Sequence, residues 1–183
     1  DLEHLVLREG LQEGLDRGRV VLQEVVDGLG HGVEAGAATD LAINAFKKTR
    51  LQSPAEIVLE LHTVLRKSRG AALSVAIIDS QEKQLTFCGI GNVIGFIDQK
   101  DSKNNRLMPT PGTAGFESRK LKDWTFPWSE DSVLILHTDG LSSKLDLLEN
   151  LRQKSSSTIA AILLRDYWRG RDDGTVLVIK AEK

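Results

Sequence analysis

Three apolar runs that stop on, or start from, an Asp-Gly pair restrict this chain more than any other feature. The first, Val20-Val21-Leu22-Gln23-Glu24-Val25-Val26, is rich in β-branched residues and reads as a strand. It ends on Asp27-Gly28-Leu29-Gly30-His31-Gly32, and a helical pattern begins at Val33. The second, Ser132-Val133-Leu134-Ile135-Leu136-His137-Thr138, has the pattern of a buried strand and ends on Asp139-Gly140. In the third the order is reversed, with Asp172-Asp173-Gly174 leading into Thr175-Val176-Leu177-Val178-Ile179. Asp-Gly by itself is a plain turn signal. Carboxylates massed at the ends of strong central strands are a different matter, because they repel one another unless cations sit between them. Oxygen donors without a histidine or cysteine cluster suit hard ions such as Mg²⁺ or Mn²⁺. The expectation is that the three sites meet in space.

The intervening sequence alternates strand and helix signals. Asp1 to Leu7 reads as a first strand, joined by the Gly10, Gly14 and Gly18 turn region to an antiparallel partner ending at Asp27. Val33, Ala37, Leu41 and Ala45, with Ala38, Ala42 and Phe46 beside them, form a helix stripe over 33–48. A second helix opens on a capping box, with Ser53 as N-cap, Pro54 at the first position and Glu56 at the third, and runs to about Ser68. His62 falls inside it and reads as a helix-face histidine rather than a ligand. Strands over 71–79 and 85–97 flank a Ser80-Gln81-Glu82-Lys83 hairpin turn, and Gly89, Gly91 and Gly95 mark bulges or a close backbone crossing. Pro109, Pro111 and Pro127 rule out a central strand through those positions. Short helices are expected over 145–151 and 157–168, the latter burying Ile159, Ile162, Leu163 and Tyr167. Strand runs alternating with paired helices, with no internal repeat or long linker, predict an α+β fold and one domain over 1–183.

Composition narrows the function classes. With 183 residues, a net charge of −2 and 40% hydrophobic residues, the chain can build a proper core. The same near-neutral balance gives no support for a nucleic-acid or membrane-surface role. No apolar run approaches the roughly 20 residues of a membrane span, and no signal peptide is visible. The single cysteine, Cys88, lies in an apolar strand pattern and reads as core; a lone cysteine fits a reducing, cytoplasmic setting. The chain starts at Asp1 without a methionine, so a few preceding residues are expected. There is no CxxC, HExxH or Walker-type loop to support zinc or P-loop chemistry.

Taken together, Val-Val-Asp27-Gly28-Leu-Gly-His-Gly, Leu-His-Thr-Asp139-Gly140-Leu and Arg-Asp172-Asp173-Gly-Thr-Val-Leu-Val resemble the metal-binding motifs of the metal-dependent (type 2C) serine/threonine phosphatases. More narrowly they resemble the compact bacterial SpoIIE/RsbX branch, which Arg69-Gly70-Ala71-Ala72-Leu-Ser and Cys88-Gly89-Ile90-Gly91-Asn92-Val93 also match. The resemblance spans essentially the whole chain in order. It implies a central antiparallel β-sandwich flanked by helix pairs in α-β-β-α layers, with two Mn²⁺ or Mg²⁺ ions. Carried over, Asp27 bridges both ions, the Gly28 carbonyl ligates one, and Asp139 and Asp172 bind the other. Asp173 stands where relatives often carry Asn, so it supports the ligands from behind or joins them. Asp1 matches the acidic residue of the first motif. A water shared by cations about 4 Å apart would attack phosphorus in line, with no covalent intermediate.

One departure concerns the general acid. Many eukaryotic relatives have a histidine directly after Asp-Gly, whereas here that place is Leu29. His31, two residues on, is a candidate general acid beside the plainer reading of a solvent-facing loop histidine. Strand alternation would turn His137 to the same side as Asp139, in a supporting hydrogen-bond role. The implied substrate is a phosphoserine or phosphothreonine protein, with phosphorylated STAS-domain stressosome scaffolds as the partners of lone catalytic domains in this branch. A monomer or weak dimer is expected. Two other readings stand beside the enzyme: a non-catalytic phosphoprotein-binding module of the same fold, and a nucleotide held on the Gly28–Gly32 loop as an anion nest.

Overall fold

The structure is a computed structural model and describes residues 20–29, 33–50, 53–100, 105–118, 120–147, 149–170 and 173–180. In chain order its elements are β1 (Val20–Gly28), α1 (Val33–Phe46), α2 (Pro54–Val64), β2 (Ala71–Asp79), β3 (Gln84–Ile90), β4 (Ile94–Asp98) and β5 (Asn105–Leu107). Then follow β6 (Gly112–Thr113), β7 (Glu117–Ser118), β8 (Trp124–Pro127), β9 (Val133–His137), α3 (Ser156–Tyr167) and β10 (Val176–Lys180). They fall into two compact units, and the chain passes from one to the other at 93/94, 107/108 and 128/129. The expected first strand over 1–7 and its turn lie outside the described residues.

In the α1–α2 unit an antiparallel sheet has the order β1-β2-β3-β8. Period-2 alternation turns Leu73 and Val75 of β2, Cys88 and Ile90 of β3 and, less deeply, Val26 of β1 to one face. Ala38 and Ala42 of α1 and Ile57, Val58, Leu61 and Leu65 from α2 onward close over that face. Fully burying a leucine such as Leu61 stabilises by roughly 1.5–3 kcal/mol, so a few such contacts decide the unit. The α2 start is the expected one: Ser53 caps, its hydroxyl oxygen accepting the Glu56 N–H. Asp123, from the segment before β8, reinforces it by accepting from the Ser53 hydroxyl (2.6 Å) and the Ala55 N–H (2.7 Å). The helix ends earlier than expected, in a 3-10 turn over Leu65–Lys67, because the Ser68 N–H and hydroxyl both donate to the Leu65 carbonyl. Pro127 lies in β8, an edge strand, where its missing N–H costs no ladder bond.

The α3 unit has its own antiparallel sheet, ordered β10-β9-β4-β5. Phe96, Val133, Ile135, Val176 and Val178 line the face covered by Ile159, Ala160 and Leu163 of α3. Ile162 and Tyr167 pack against the same cluster but are only partly buried. Asp98, at the end of β4, is 2% exposed and accepts from the Arg152 guanidinium at 2.8 Å. Burial pushes its carboxyl above the usual carboxylate range, against the opposite pull of Arg152.

Two expectations are corrected. The single strand over 85–97 is two strands, β3 and β4, in different sheets. Gly91 makes the break: its φ is +97° and a Cβ there would sit 2.5 Å from the Ala72 Cβ, so the chain turns out of one ladder at this point. The helix over 145–151 is reduced to a 3-10 turn at Glu149–Leu151, because the Asp146 carboxylate takes the Leu147 N–H at 2.9 Å and competes with helical bonding. Leu145, Leu147 and Leu151 are buried nonetheless. Antiparallel sheets with segregated helices make the fold α+β, as expected.

Candidate active site

Asp27 is the penultimate residue of β1, half-buried, and in register with Ala72. The next pair is Gly28 with Ala71, and the Leu29 N–H extends the contact to the Gly70 carbonyl at 3.0 Å. Glycine at 28 is dictated by α1. A Cβ would run into the Ala35 carbonyl and come within 2.8 Å of the Thr39 hydroxyl. The strand end is thus pressed against the first turns of the helix, with Asp27 held by the ladder on one side of that contact.

The motif Arg69-Gly70-Ala71-Ala72 acquires a physical meaning here. Ala71 exchanges both backbone hydrogen bonds with Ala114, in the turn of the β6–β7 hairpin (2.9 and 3.1 Å). Gly70 has φ +77°, and its Cβ would lie 2.5 Å from the Ala114 carbonyl. Thr110, at the hairpin's entrance, bonds to Gly89 and Gly91. The glycines of the two motifs therefore let three backbone segments converge where β2 pairs with the Asp27-Gly28 end of β1.

Asp139 stands beyond β9, exposed, in a turn. Its neighbours tie that turn to the segment before β10. The Thr138 N–H donates to the Thr175 carbonyl (3.1 Å), and the Thr175 N–H returns to the Thr138 hydroxyl (3.0 Å). A Cβ on Gly140 would strike the Asp173 carbonyl and lie 2.8 Å from the Gly174 Cα. The Gly140 carbonyl accepts from the Arg169 N–H at 3.0 Å. The structure thus brings the Asp139-Gly140 and Asp173-Gly174 loops together. Asp27 belongs to the other unit. Asp172, Asp1 and His31 lie outside the described residues. Among the described residues, no three His, Cys, Asp or Glu side chains form a group able to hold an ion.

The model of the stage II sporulation protein E (SpoIIE) family matches residues 17–182. The chain belongs to the SpoIIE family. It is 24% identical over 155 residues to the phosphoserine phosphatase RsbX of Bacillus subtilis strain 168, covering 85% of this chain and 77% of that protein. A solved structure described as "The bacterial stressosome: a modular system that has been adapted to control secondary messenger signaling" superposes with a TM-score of 0.79. It shares 24% identity over 87% of this chain and 83% of its own. A crystal structure of RsbX in complex with magnesium superposes with a TM-score of 0.69 and 25% identity, covering 88% of this chain and 81% of its own. As a SpoIIE-family member the chain has the PP2C-type fold and is a serine/threonine protein phosphatase.

Three further side chains of this SpoIIE-family chain carry groups that could titrate or bind. Cys88 is 1% exposed, and burial pushes its thiol up to about 11, so it stays protonated and is core, as expected. His137 is 2% exposed, and its Nδ1 is 2.9 Å from the Thr138 carbonyl. Burial holds its pKa below the usual histidine value; the Thr138 bond opposes this, Arg169 adds to it and Asp139 opposes it. It therefore braces the backbone next to Asp139, while Asp139 itself is exposed past the strand end. His62 is 5% exposed, and its Nδ1 accepts the Gly115 N–H at 3.1 Å. Nothing in the helical periodicity around His62 announces that partner 53 residues away. Only the Gly-rich Pro111-Gly112-Thr113-Ala114-Gly115 sequence hinted at a tight corner.

Proposed function

We propose that this phosphatase is metal-dependent and hydrolyses phosphoserine or phosphothreonine on a signalling protein, with phosphorylated STAS-domain stressosome scaffolds as the substrate class. The observation that carries the proposal is the lacing of the Asp139-Gly140 turn against Asp173–Thr175 within one unit. It gives a hydrogen-bonded pair of loops whose donors are all oxygen, the chemistry that Mg²⁺ and Mn²⁺ select. Asp27, the Gly28 carbonyl, Asp139 and Asp172 would hold two such ions, Asp173 supporting or joining them and Asp1 completing the set. Divalent cations supply Lewis-acid stabilisation of phosphoryl oxygens and a water acidic enough to attack phosphorus near neutral pH.

The chain's own residues do the rest. Asp27, Asp139 and Asp172 would supply the negative charge that holds the cations; Gly28 lets the Asp27 strand end press against α1, and Gly140 lets the Asp139 turn pack on the Asp173 loop. The protonated Cys88 thiol supports a route without a cysteine nucleophile. The relative named as a phosphoserine phosphatase, the RsbX structure with magnesium and the neighbour described with the stressosome support the choice of substrate and ion. We also propose that both units work as one catalytic domain, monomeric or weakly dimeric, in the cytoplasm. No helix among the described residues is long and apolar enough to cross a membrane.

The test is Mn²⁺- and Mg²⁺-dependent release of phosphate from p-nitrophenyl phosphate and from a phosphorylated STAS-domain protein. Asp27→Asn, Asp139→Asn and Asp172→Asn should each lower it by about a thousandfold. Binding of the phosphoprotein without turnover by the unaltered chain would favour a recognition module instead.

A further inference from the structure

We propose that His62 is a positioning residue for the Asp27 end of the site, acting through the β6–β7 corner. The inference rests on the metal-assisted reading above. The path is made of hydrogen bonds and ladder pairings within one unit. His62 Nδ1 accepts the Gly115 N–H at 3.1 Å, and both residues are buried. The neighbouring Ala114 exchanges two backbone bonds with Ala71. Ala71 is the register partner of Gly28, and Gly70 receives the Leu29 N–H. The corner is also pressed onto the end of α2, where Gly115 has φ +100° and its Cβ would lie 2.7 Å from the Leu65 carbonyl. A side chain on α2 thereby sets the height at which the corner sits on β2, opposite the residues that follow Val26. A buried backbone N–H has few alternatives if its acceptor is removed, so the corner must shift to regain a partner.

The bond exists only while His62 is neutral, with its proton on Nε2. An imidazolium would set a donor against the Gly115 donor. Burial, and then the charge of Arg66 one turn along the helix, hold the His62 pKa below its ordinary value of 6.5. Gly115, the corner residue bonded to the ring, is uncharged, and among the described residues Arg66 is the one charge that shifts the ring's pKa. A histidine whose folded-state pKa is lowered contributes stability that is present above 6.5 and is lost as pH falls through the lowered value. The corner should therefore loosen on the acid side.

His62→Asn and His62→Leu separate positioning from mere packing. The asparagine Oδ1 takes the place of Nδ1 as acceptor and does not titrate; leucine fills the space without one. The readouts are Mn²⁺-dependent hydrolysis of p-nitrophenyl phosphate (kcat and the Mn²⁺ requirement separately) and hydrogen–deuterium exchange over 108–118, at pH 7.5 and 5.5. His62→Leu should speed exchange in the corner about tenfold and lower kcat or raise the Mn²⁺ requirement by a similar factor. His62→Asn should restore both at pH 7.5 and remove the acid-side loosening seen in the unaltered protein. Exchange and activity of His62→Leu equal to those of the unaltered protein would overturn the proposal. So would faster exchange with unchanged kinetics, which would make His62 structural only. If His62→Leu fails to fold, identical pH profiles for His62→Asn and the unaltered protein would overturn it. Full activity in Asp27→Asn would instead defeat the metal-site reading, and corner exchange would still report on His62.

Discussion

Asp27 is held by a strand ladder in the α1–α2 unit, whereas Asp139 and Asp173 of the α3 unit stand in loops outside their strands. The ladder position is fixed by sheet register, where a slip of one residue would turn every side chain of β1 to the other face. The loop positions depend on a handful of bonds from Thr138, Gly140 and Thr175. The two kinds of support should fail differently. Damage to the backbone around Asp27 should cost fold and activity together, while damage to the backbone around Asp139 should cost activity first.

The largest expected effect treats both sides alike. Asp27→Asn and Asp139→Asn should each lower kcat/KM by about a thousandfold, since each removes part of the charge that holds the cations. Circular dichroism should stay unchanged. A variant retaining the unaltered rate would remove its side from the comparison. Next come the cores: Leu61→Ala and Leu163→Ala should each destabilise by about 2–5 kcal/mol in urea titrations, because both side chains are fully buried against a sheet. Loss of less than about 1 kcal/mol at either site would show that its helix is dispensable to that unit.

The sharpest contrast lies in the glycines. Gly28→Ala and Gly140→Ala each push a methyl into a backbone carbonyl, at a cost of about 1–3 kcal/mol. Gly140→Ala should yield by moving the Asp173 loop, giving a large loss of activity with a small change in Tm. Gly28→Ala, wedged between ladder and helix, should lower Tm by several degrees as well. Equal Tm shifts would break the distinction between ladder and loop support. The smallest effect concerns helix starts. Ser53→Ala should cost about 1 kcal/mol and Ser155→Ala less. The difference arises because Ser53 is also bonded to Asp123, 70 residues away, whereas Ser155 bonds only within its own turn.

Much of this was legible in the residues. The α2 start was readable because capping is local chemistry over four positions, Ser53 to Glu56, and the strands were readable because β-branched runs stop at glycine. The break at Gly91 was not, since a glycine that crosses another backbone looks in sequence like one inside a bulge. The helix over 145–151 failed for a similar reason, as leucine spacing cannot show Asp146 capturing the Leu147 N–H. In the site, the Asp-Gly pairs were visible as carriers of charge. The Gly140 contact with the Asp173 backbone and the His62 bond to Gly115 join distant stretches, and no local pattern encodes them.

The three passages between units among the described residues have a consequence for how the chain can be made. Neither unit is an unbroken segment: the α1–α2 unit is not complete until β8 has left the ribosome, and by then β4 and β5 of the other unit have already emerged. The α1–α2 unit can still be completed ahead of the α3 unit during synthesis, but only after part of that other unit has emerged, unlike chains with sequential domains. Early fragments that stop near Val93 would expose the open edge of β3, and should need chaperone protection until Trp128 is out.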